Sequence, residues 1–168
     1  MKRQLTWIVF ATCFLAGIAS CCKDKEVEDP RLVNKENKEA GETFLINNAS
    51  RSKVKQTSKG LQYEIMTPGD NIHPYPQDSV NVTYTGELID GTLFSSSTND
   101  DLLLIKQIEG FQDGLQLMSQ GSAYTLYIPH YLGYGASSQT VVYDGKNVTI
   151  LPYSVLIYKV TLNRVKRN

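Results

Sequence analysis

Residues 80–97, VNVTYTGELIDGTLFSSS, decide the fold of this chain. Val80, Val82 and Tyr84 alternate with polar residues, a period typical of a half-buried strand rich in β-branched and aromatic side chains. Gly86 then indicates a bulge or a close approach between the backbone and a neighbouring side chain. The stretch therefore predicts a strand that is bent near its end.

An Asp-Gly turn signal at residues 90–91 follows, and Leu93 and Phe94 then return to an apolar core. The phenol of Tyr84 and the phenyl of Phe94 are thus presented on either side of a bend. Apolar walls that carry a few polar tips are typical of ligand pockets. We therefore expect a pocket at this place.

The rest of the chain predicts several strands and one helix placed late. We expect a polar loop at residues 95–101 and one amphipathic helix at 110–118. Four further strands are expected at 61–65, 102–105, 123–128 and 155–165. Several strands with one late helix predict an α+β fold, in which a twisted antiparallel β-sheet packs on one short α-helix.

Four ordered motifs between about residues 60 and 165 resemble the signature of the FKBP-type peptidyl-prolyl cis-trans isomerases. The opening stretch is similar to the family's Y-T-G…D-G-x-x-F-D-S-S, and Gln107-Ile108-Glu109-Gly110-Phe111 is similar to V-I-x-G-W. Residues 114–121 resemble G-L-x-x-M-x-x-G, and residues 128–135 resemble I-P-x-x-x-x-Y-G. Each motif alone is weak, but the ordered set is specific.

The resemblance implies an enzyme of protein folding that accelerates rotation about Xaa-Pro bonds in proline-containing polypeptides. Amide resonance gives this rotation a barrier of roughly 18–20 kcal/mol. The twisted transition state is less polar than the planar ground state, so an apolar pocket favours it. A donor to the substrate carbonyl and a wall of aromatic side chains are enough. We expect neither a cofactor nor a metal.

The resemblance also implies the site residues. The wall and its floor consist of Tyr84, Phe94, Ile108, Phe111, Tyr134 and Tyr158. The backbone N–H of Ile108 and the hydroxyl of Tyr134 hold substrate carbonyls. Ser95, Leu102, Gln107, Ile150 and Leu151 complete the substrate-binding positions. An isolated aromatic residue is better interpreted as core packing, but the motifs favour pocket roles for Tyr84, Phe94 and Tyr134.

Three residues depart from the family pattern. Ser95 stands in place of an aspartate, Phe111 in place of a tryptophan, and Tyr158 in place of a phenylalanine. In addition, residues 136–151 replace a short connection with a predicted hairpin, which would form a long flap over the pocket. These departures leave a second hypothesis open: a non-catalytic FKBP-like chaperone or protein-binding module.

The N-terminal sequence predicts a targeting signal rather than a part of the folded domain. Lys2 and Arg3 precede an apolar run at residues 7–19, which is too short to span a bilayer as a stable helix. The sequence Ile-Ala-Ser-Cys at 18–21 resembles a bacterial lipobox, with Cys21 as the lipid-attachment residue. An ordinary secretory signal is the alternative. We expect a lipid-anchored protein of the bacterial envelope, at the outer membrane and facing either the periplasm or the cell surface.

We therefore expect four regions: a signal peptide at 1–20, a charged, flexible tether at 21–38, a short helix and linker at 39–59, and the FKBP-like domain at 60–168. The segment leading into the domain resembles the macrophage infectivity potentiator branch of the family. A helix of ten to fifteen residues is too short for a two-chain stalk, so we expect a monomer.

Composition excludes other functions. Signal cleavage would leave 15 basic and 17 acidic side chains, which argues against a nucleic-acid partner. The three cysteines, at 13, 21 and 22, form no disulfide or metal framework. The serines at 95–97 lack a G-x-S-x-G context, and His73 and His130 lack a supporting acid, so a serine hydrolase is a poor alternative.

Overall fold

The computed structural model describes residues 29–167, which form two α-helices and eight strands. The helices are α1 (Pro30–Ala49) and α2 (Glu109–Leu117). The strands are β1 (Val54–Gln56), β2 (Gln62–Thr67), β3 (Ser79–Leu88), β4 (Leu93–Leu103), β5 (Ala123–Ile128), β6 (Gln139–Tyr143), β7 (Lys146–Ile150) and β8 (Leu156–Lys166). Short 3-10 turns follow β4 and β5, at Leu104–Lys106 and His130–Leu132.

Six strands form one antiparallel sheet in the order β1-β2-β5-β8-β3-β4, and β6 and β7 form a separate hairpin. Strands β8 and β3 lie inside the sheet and pair with a neighbour on each side. Strand alternation places Leu126, Val160 and Leu162 on the core face, where each is at most 2% exposed. The predicted α+β architecture is thereby confirmed.

Helix α2 packs on the core face of the sheet through two glycines one turn apart. A Cβ atom added at Gly110 would lie 2.3 Å from Cγ2 of Ile128, and one added at Gly114 would lie 2.4 Å from Cδ1 of Leu126. A larger residue at either position would overlap these side chains, so that either they or the helix would have to move. This close approach fixes the depth at which Phe111, on the same helix, enters the core.

The polar stretch at residues 95–101, predicted as a loop, belongs to β4, so that prediction is wrong. Its backbone pairs with β3, with Tyr84 opposite Ser97 and Asn81 opposite Asp101. Polar side chains favour a loop only while the backbone has no partner, and β3 supplies one. The predicted strand at 102–105 is likewise split between the end of β4 and a 3-10 turn.

Helix α1 begins nine residues before the predicted start, so residues 30–38 are helical and not part of a flexible tether. The Asp29 carboxylate accepts a hydrogen bond from the Arg31 backbone N–H at 2.9 Å, and Pro30 stands at the first helical position. This cap and the helix's packing on the domain outweigh the polar composition. Residues 21–28 of the predicted tether and the signal peptide lie outside the described residues.

The remaining predicted elements are confirmed within a residue or two. The late helix forms α2, and the hairpin forms β6 and β7 around Asp144 and Gly145, both with positive φ. Within residues 29–167, no helix is long and apolar enough to cross a membrane.

Candidate functional site

Four aromatic rings meet between the core face of the sheet and α2. Tyr158 lies at their centre: its ring centroid is 4.8 Å from that of Phe111, 5.5 Å from that of Phe94 and 6.0 Å from that of Tyr84. Tyr84 also packs edge-on against Phe111 at 5.8 Å. We call these four residues the aromatic cluster. Its members come from β3, β4, α2 and β8, so only the folded sheet brings them together.

Gly86 makes room for the aromatic cluster. A Cβ atom at this position would lie 2.8 Å from Cζ of Phe94 and 3.0 Å from Cε1 of Tyr158. The pairing register of β3 with β4 also shifts just after Gly86. The bulge or close approach predicted at this glycine is therefore confirmed, and it serves to seat two rings of the cluster.

Three phenol groups bring hydroxyls to this apolar region. The Ser95 hydroxyl donates to the Tyr84 hydroxyl oxygen at 3.4 Å. Burial raises the pKa of Tyr158, which is 7% exposed, and hydrogen bonding to Tyr134 raises this pKa further. Burial likewise raises the pKa of Tyr134, while the hydrogen bond with Tyr158 opposes that rise. Tyr134 and Tyr158 therefore stay protonated at neutral pH and can donate hydrogen bonds.

Ile108 caps α2 and places a backbone donor beside the cluster. Its carbonyl accepts the first helical hydrogen bonds, from the N–H groups of Phe111 and Gln112 at 3.0 Å each. Its own N–H makes no hydrogen bond with any residue in the described range 29–167. The preceding Gln107 is held by its carbonyl, which accepts from Nε2 of Gln112 at 2.6 Å. The amide of Ile108 is therefore held by the helix and free to donate to a ligand.

The structure separates the other predicted substrate-binding residues. Ile150 is fully buried in the same core at the end of β7, whereas Leu151 is 36% exposed. Leu151 lines a different cavity of about 460 Å³, bounded by α1 and the turn between β3 and β4. Leu102 is half-buried at the far end of β4, opposite Val80. Ile150 and Leu102 thus share the core with the aromatic cluster, and Leu151 does not face it.

The flap hairpin of β6 and β7 leans on β4. The hydroxyl of Ser96 donates to the Tyr143 hydroxyl at 3.3 Å, and Val141 and Val148 pack against the core from the hairpin's inner side. Val142 points away and is 73% exposed. The flap therefore has an apolar inner side attached to the domain and an apolar residue left in solvent.

Sequence reasoning missed the contacts of Tyr153 with the turn that contains Tyr134. Tyr153 has a left-handed backbone, with φ of 64°, and its ring packs edge-on against His130 at 5.2 Å. Tyr153 also donates from its N–H to the Gly135 carbonyl at 2.7 Å. A tyrosine gives no sequence signal for a positive φ, which glycine and asparagine usually supply.

Within residues 29–167, His, Cys, Asp and Glu side chains form no group of three that could hold a metal ion.

Two family models match the chain. One, described as "FKBP-type peptidyl-prolyl cis-trans isomerase", matches residues 70–163. The other, described as "Domain amino terminal to FKBP-type peptidyl-prolyl isomerase", matches residues 14–65. The first covers the aromatic cluster and the flap, and the second covers α1.

Two curated relatives are similar over most of the chain. The "Probable FKBP-type peptidyl-prolyl cis-trans isomerase FkpA" of Neisseria meningitidis is 41% identical over 138 residues, which cover 75% of this chain and 51% of that protein. The "Outer membrane protein MIP" of Legionella longbeachae is 36% identical over 136 residues, covering 79% of this chain and 55% of that protein. The chain thus spans about half the length of the curated relatives it matches.

Several solved structures share the fold, among them those of two bacterial proteins. The crystal structure of FkpA from Escherichia coli has a TM-score of 0.73 and 30% identity, covering 82% of this chain and 63% of that chain. A peptidyl-prolyl cis-trans isomerase from Pseudomonas syringae has a TM-score of 0.71 and 29% identity, covering 80% of this chain and 96% of that chain.

Proposed function

This chain belongs to the FKBP-type peptidyl-prolyl cis-trans isomerase family, and from that premise we propose that it accelerates rotation about Xaa-Pro bonds in polypeptide clients. The observation that carries the proposal is the aromatic cluster, with the unpaired amide of Ile108 beside it. Such a site binds an apolar proline ring and offers a donor at one edge. It contains no group placed for nucleophilic attack, and rotation of an amide needs none.

The walls act on the amide through its polarity. Resonance makes the planar amide more polar than the twisted one, and a pocket made of rings cannot solvate that polarity. The twisted form loses less on entering, so binding there lowers the barrier. Tyr84, Phe94, Phe111 and Tyr158 supply the walls in this proposal. Ile150, Leu102 and Gln107 complete the surroundings of the substrate.

Two donors would hold the substrate's carbonyl groups. The N–H of Ile108 is fixed at the start of α2, where the first helical amides carry partial positive charge. The Tyr134 hydroxyl is half-buried and stays protonated at neutral pH, because burial raises its pKa. Hydrogen bonds that are preorganised in an apolar site stabilise charge redistribution with little rearrangement.

A binding module without catalysis is the second candidate, and Ser95 is the observation that favours it. The Ser95 hydroxyl reaches Tyr84 only at 3.4 Å, whereas the family's aspartate at this position offers a second acceptor oxygen and a charge. The exposed Val142 on the flap suits a surface that holds a partner. We infer reduced but measurable isomerisation, since the rings that supply the walls are all present.

Turnover of an Xaa-Pro peptide by wild type and Ser95→Asp decides between the two functions. We expect wild-type activity above the uncatalysed rate and a higher rate for Ser95→Asp, because the Tyr84 hydroxyl can donate to the new carboxylate. Thr98→Asp is the control, since it adds the same charge at an exposed position of the same strand. Thermal melts verify that all three proteins are folded. Folded proteins with no activity in wild type or Ser95→Asp would establish the binding module instead.

We further propose that Cys21 carries a lipid anchor after cleavage of residues 1–20, and that the domain at 60–168 works in the bacterial envelope. The lipobox-like sequence before Cys21 supports this, together with a relative named as an outer membrane protein. Cys21→Ser should release the protein from the membrane fraction, and Cys22→Ser should not. The reverse result would move the anchor to Cys22.

We also propose a monomer. The face of α1 that carries Asn37, Gly41, Phe44 and Asn48 is occupied by the helix's own domain. Sedimentation equilibrium of the Cys21→Ser protein should give a single-chain mass. A mass of two chains at micromolar concentration would contradict the proposal.

A further inference from the structure

Helix α1 contacts a turn of the domain, and this turn contacts the residues next to Tyr134. Nδ2 of Asn37, in the middle of α1, donates to the Pro152 carbonyl at 2.6 Å and to the Ser154 hydroxyl oxygen at 3.0 Å. One turn further along the helix, a Cβ at Gly41 would lie only 3.0 Å from Cγ2 of Val155. A single side-chain amide thus spans residues 151–155, which we call the tyrosine turn because Tyr153 lies at its centre.

The tyrosine turn holds Tyr153 in a strained conformation. Its φ of 64° lies in the left-handed region, which side chains other than glycine and asparagine rarely adopt. Such a conformation persists only where the surroundings determine it. Asn37 holds the carbonyl on one side of Tyr153 and the hydroxyl on the other, and Ser154 in turn donates to the Leu151 carbonyl at 2.8 Å.

From Tyr153 the contacts reach the residues next to Tyr134. The Tyr153 ring packs on His130, and its N–H donates to the Gly135 carbonyl at 2.7 Å. The N–H of Gly135 in turn donates to the His130 carbonyl at 2.8 Å. Residues 130–135 are therefore a closed turn, fastened at both ends by Tyr153, and Tyr134 is inside it.

We propose that Asn37 and Tyr153 are positioning residues for the isomerase site, which act through the 130–135 turn to hold the Tyr134 hydroxyl toward the substrate. The proposal rests on the proposed function. It extends the working unit back to α1, which lies before the domain boundary expected at residue 60. Without these contacts the hydroxyl samples more positions, so it binds the substrate carbonyl less well in the ground state and in the transition state alike.

The first test compares Asn37→Ala with Glu36→Ala in the Cys21→Ser chain. Glu36 is the exposed neighbour on the same helix. We expect kcat/KM to fall about threefold to tenfold in Asn37→Ala, the range expected when one or two ordinary hydrogen bonds are lost. The fall should come mainly from a higher KM, since ground state and transition state lose the same contact. Glu36→Ala should match wild type.

A second pair guards against a variant that fails to fold. Tyr153→Gly accepts the positive φ without strain but removes the ring, whereas Tyr153→Phe keeps the ring. We expect lower kcat/KM in Tyr153→Gly and wild-type values in Tyr153→Phe. Equal activity in Tyr153→Gly and Tyr153→Phe, or in Asn37→Ala and Glu36→Ala, would overturn the proposal. So would a fall in kcat at constant KM that matches the loss of folded protein in thermal melts.

A readout that does not need activity separates this proposal from the proposed function. With tyrosine labelled at 13Cζ, the NMR resonance of Tyr134 should shift and broaden in Asn37→Ala and stay in place in Glu36→Ala. An unmoved Tyr134 resonance would overturn the positioning role even if the protein is an isomerase. A moved resonance in a protein without turnover would support the positioning contacts while contradicting the proposed function.

Discussion

The two faces of the six-stranded sheet are stabilised by different kinds of contact. The core face carries Leu126, Val160 and the aromatic cluster against α2, and its contacts are apolar and close. The outer face carries Gln62 and Glu64, which are buried polar residues with named partners. The same strands supply both faces because successive side chains alternate. The core face therefore suits a pocket that works by excluding water. The outer face suits the attachment of helix α1 through polar contacts.

The outer face depends on a small network around Arg51. Its guanidinium donates to the Glu64 carboxylate at 2.6 Å and to the Tyr127 hydroxyl and Asn48 Oδ1 at 2.8 Å each. Asn48, near the end of α1, donates in turn to Gln62 at 2.9 Å. The outer face thus selects its contacts through hydrogen-bond partners, whereas the core face selects them through close packing.

The largest expected effect comes from removing a ring on the core face. Phe94→Ala should destabilise the protein by about 3–5 kcal/mol, the usual loss for a buried phenylalanine, and should abolish most isomerase activity. Phe44→Ala on α1 is the matched control, because that ring is half-buried against Tyr127 on the outer face. Chemical denaturation and peptide turnover measure both. Equal loss of activity in the two variants would break the comparison.

A smaller effect is expected from adding one methyl group to the core face. Gly86→Ala places a Cβ within 3.0 Å of atoms of Phe94 and Tyr158, and overpacking of this kind typically costs about 1–3 kcal/mol. The rings must move apart, so activity should fall even where the variant is folded. Thr98→Ala, at an exposed position of β4, is the control. A stable and fully active Gly86→Ala protein would show that the rings have room to spare.

Breaking the polar network on the outer face should change stability without changing activity. Arg51→Met leaves the nearly buried Glu64 carboxylate without its partner, which we expect to destabilise the protein by about 1–2 kcal/mol. Lys53→Met, at an exposed position near the end of α1, should be neutral. Denaturation midpoints and peptide turnover test this expectation. A loss of turnover larger than the loss of folded protein would mean that the two faces are coupled at Arg51.

The smallest expected effect is a pH dependence of stability caused by His130, in the 3-10 turn after β5. Burial lowers the pKa of His130, Lys38 lowers it further, and Glu42 opposes this. Since the unfolded chain then binds its proton first, stability should decrease as pH falls below about 6.5. Melting temperatures at pH 7.5 and 5.5 should therefore differ more for wild type than for His130→Gln. An identical pH dependence in both proteins would remove His130 as a cause.

Where the sequence misled, the reason was a partner that is distant in sequence. Residues 95–101 are polar and resemble a loop, but β3 binds their backbone. Residues 30–38 are charged and resemble a tether, but an Asp-Pro start and the surface of the domain make them helical. Local composition carries no information about either partner.

The sequence by itself determined most of the strands, the late helix and the flap hairpin, because alternation, glycine spacing and turn pairs are local signals. The residues of the aromatic cluster followed from the resemblance of the ordered motifs to a known family. Only the tertiary structure decided that Leu151 faces a separate cavity, that Gly86 seats two rings, and that Asn37 reaches the turn of Tyr153. These contacts join residues far apart in the chain, and their geometry depends on how closely the sheet, the helices and the turns pack.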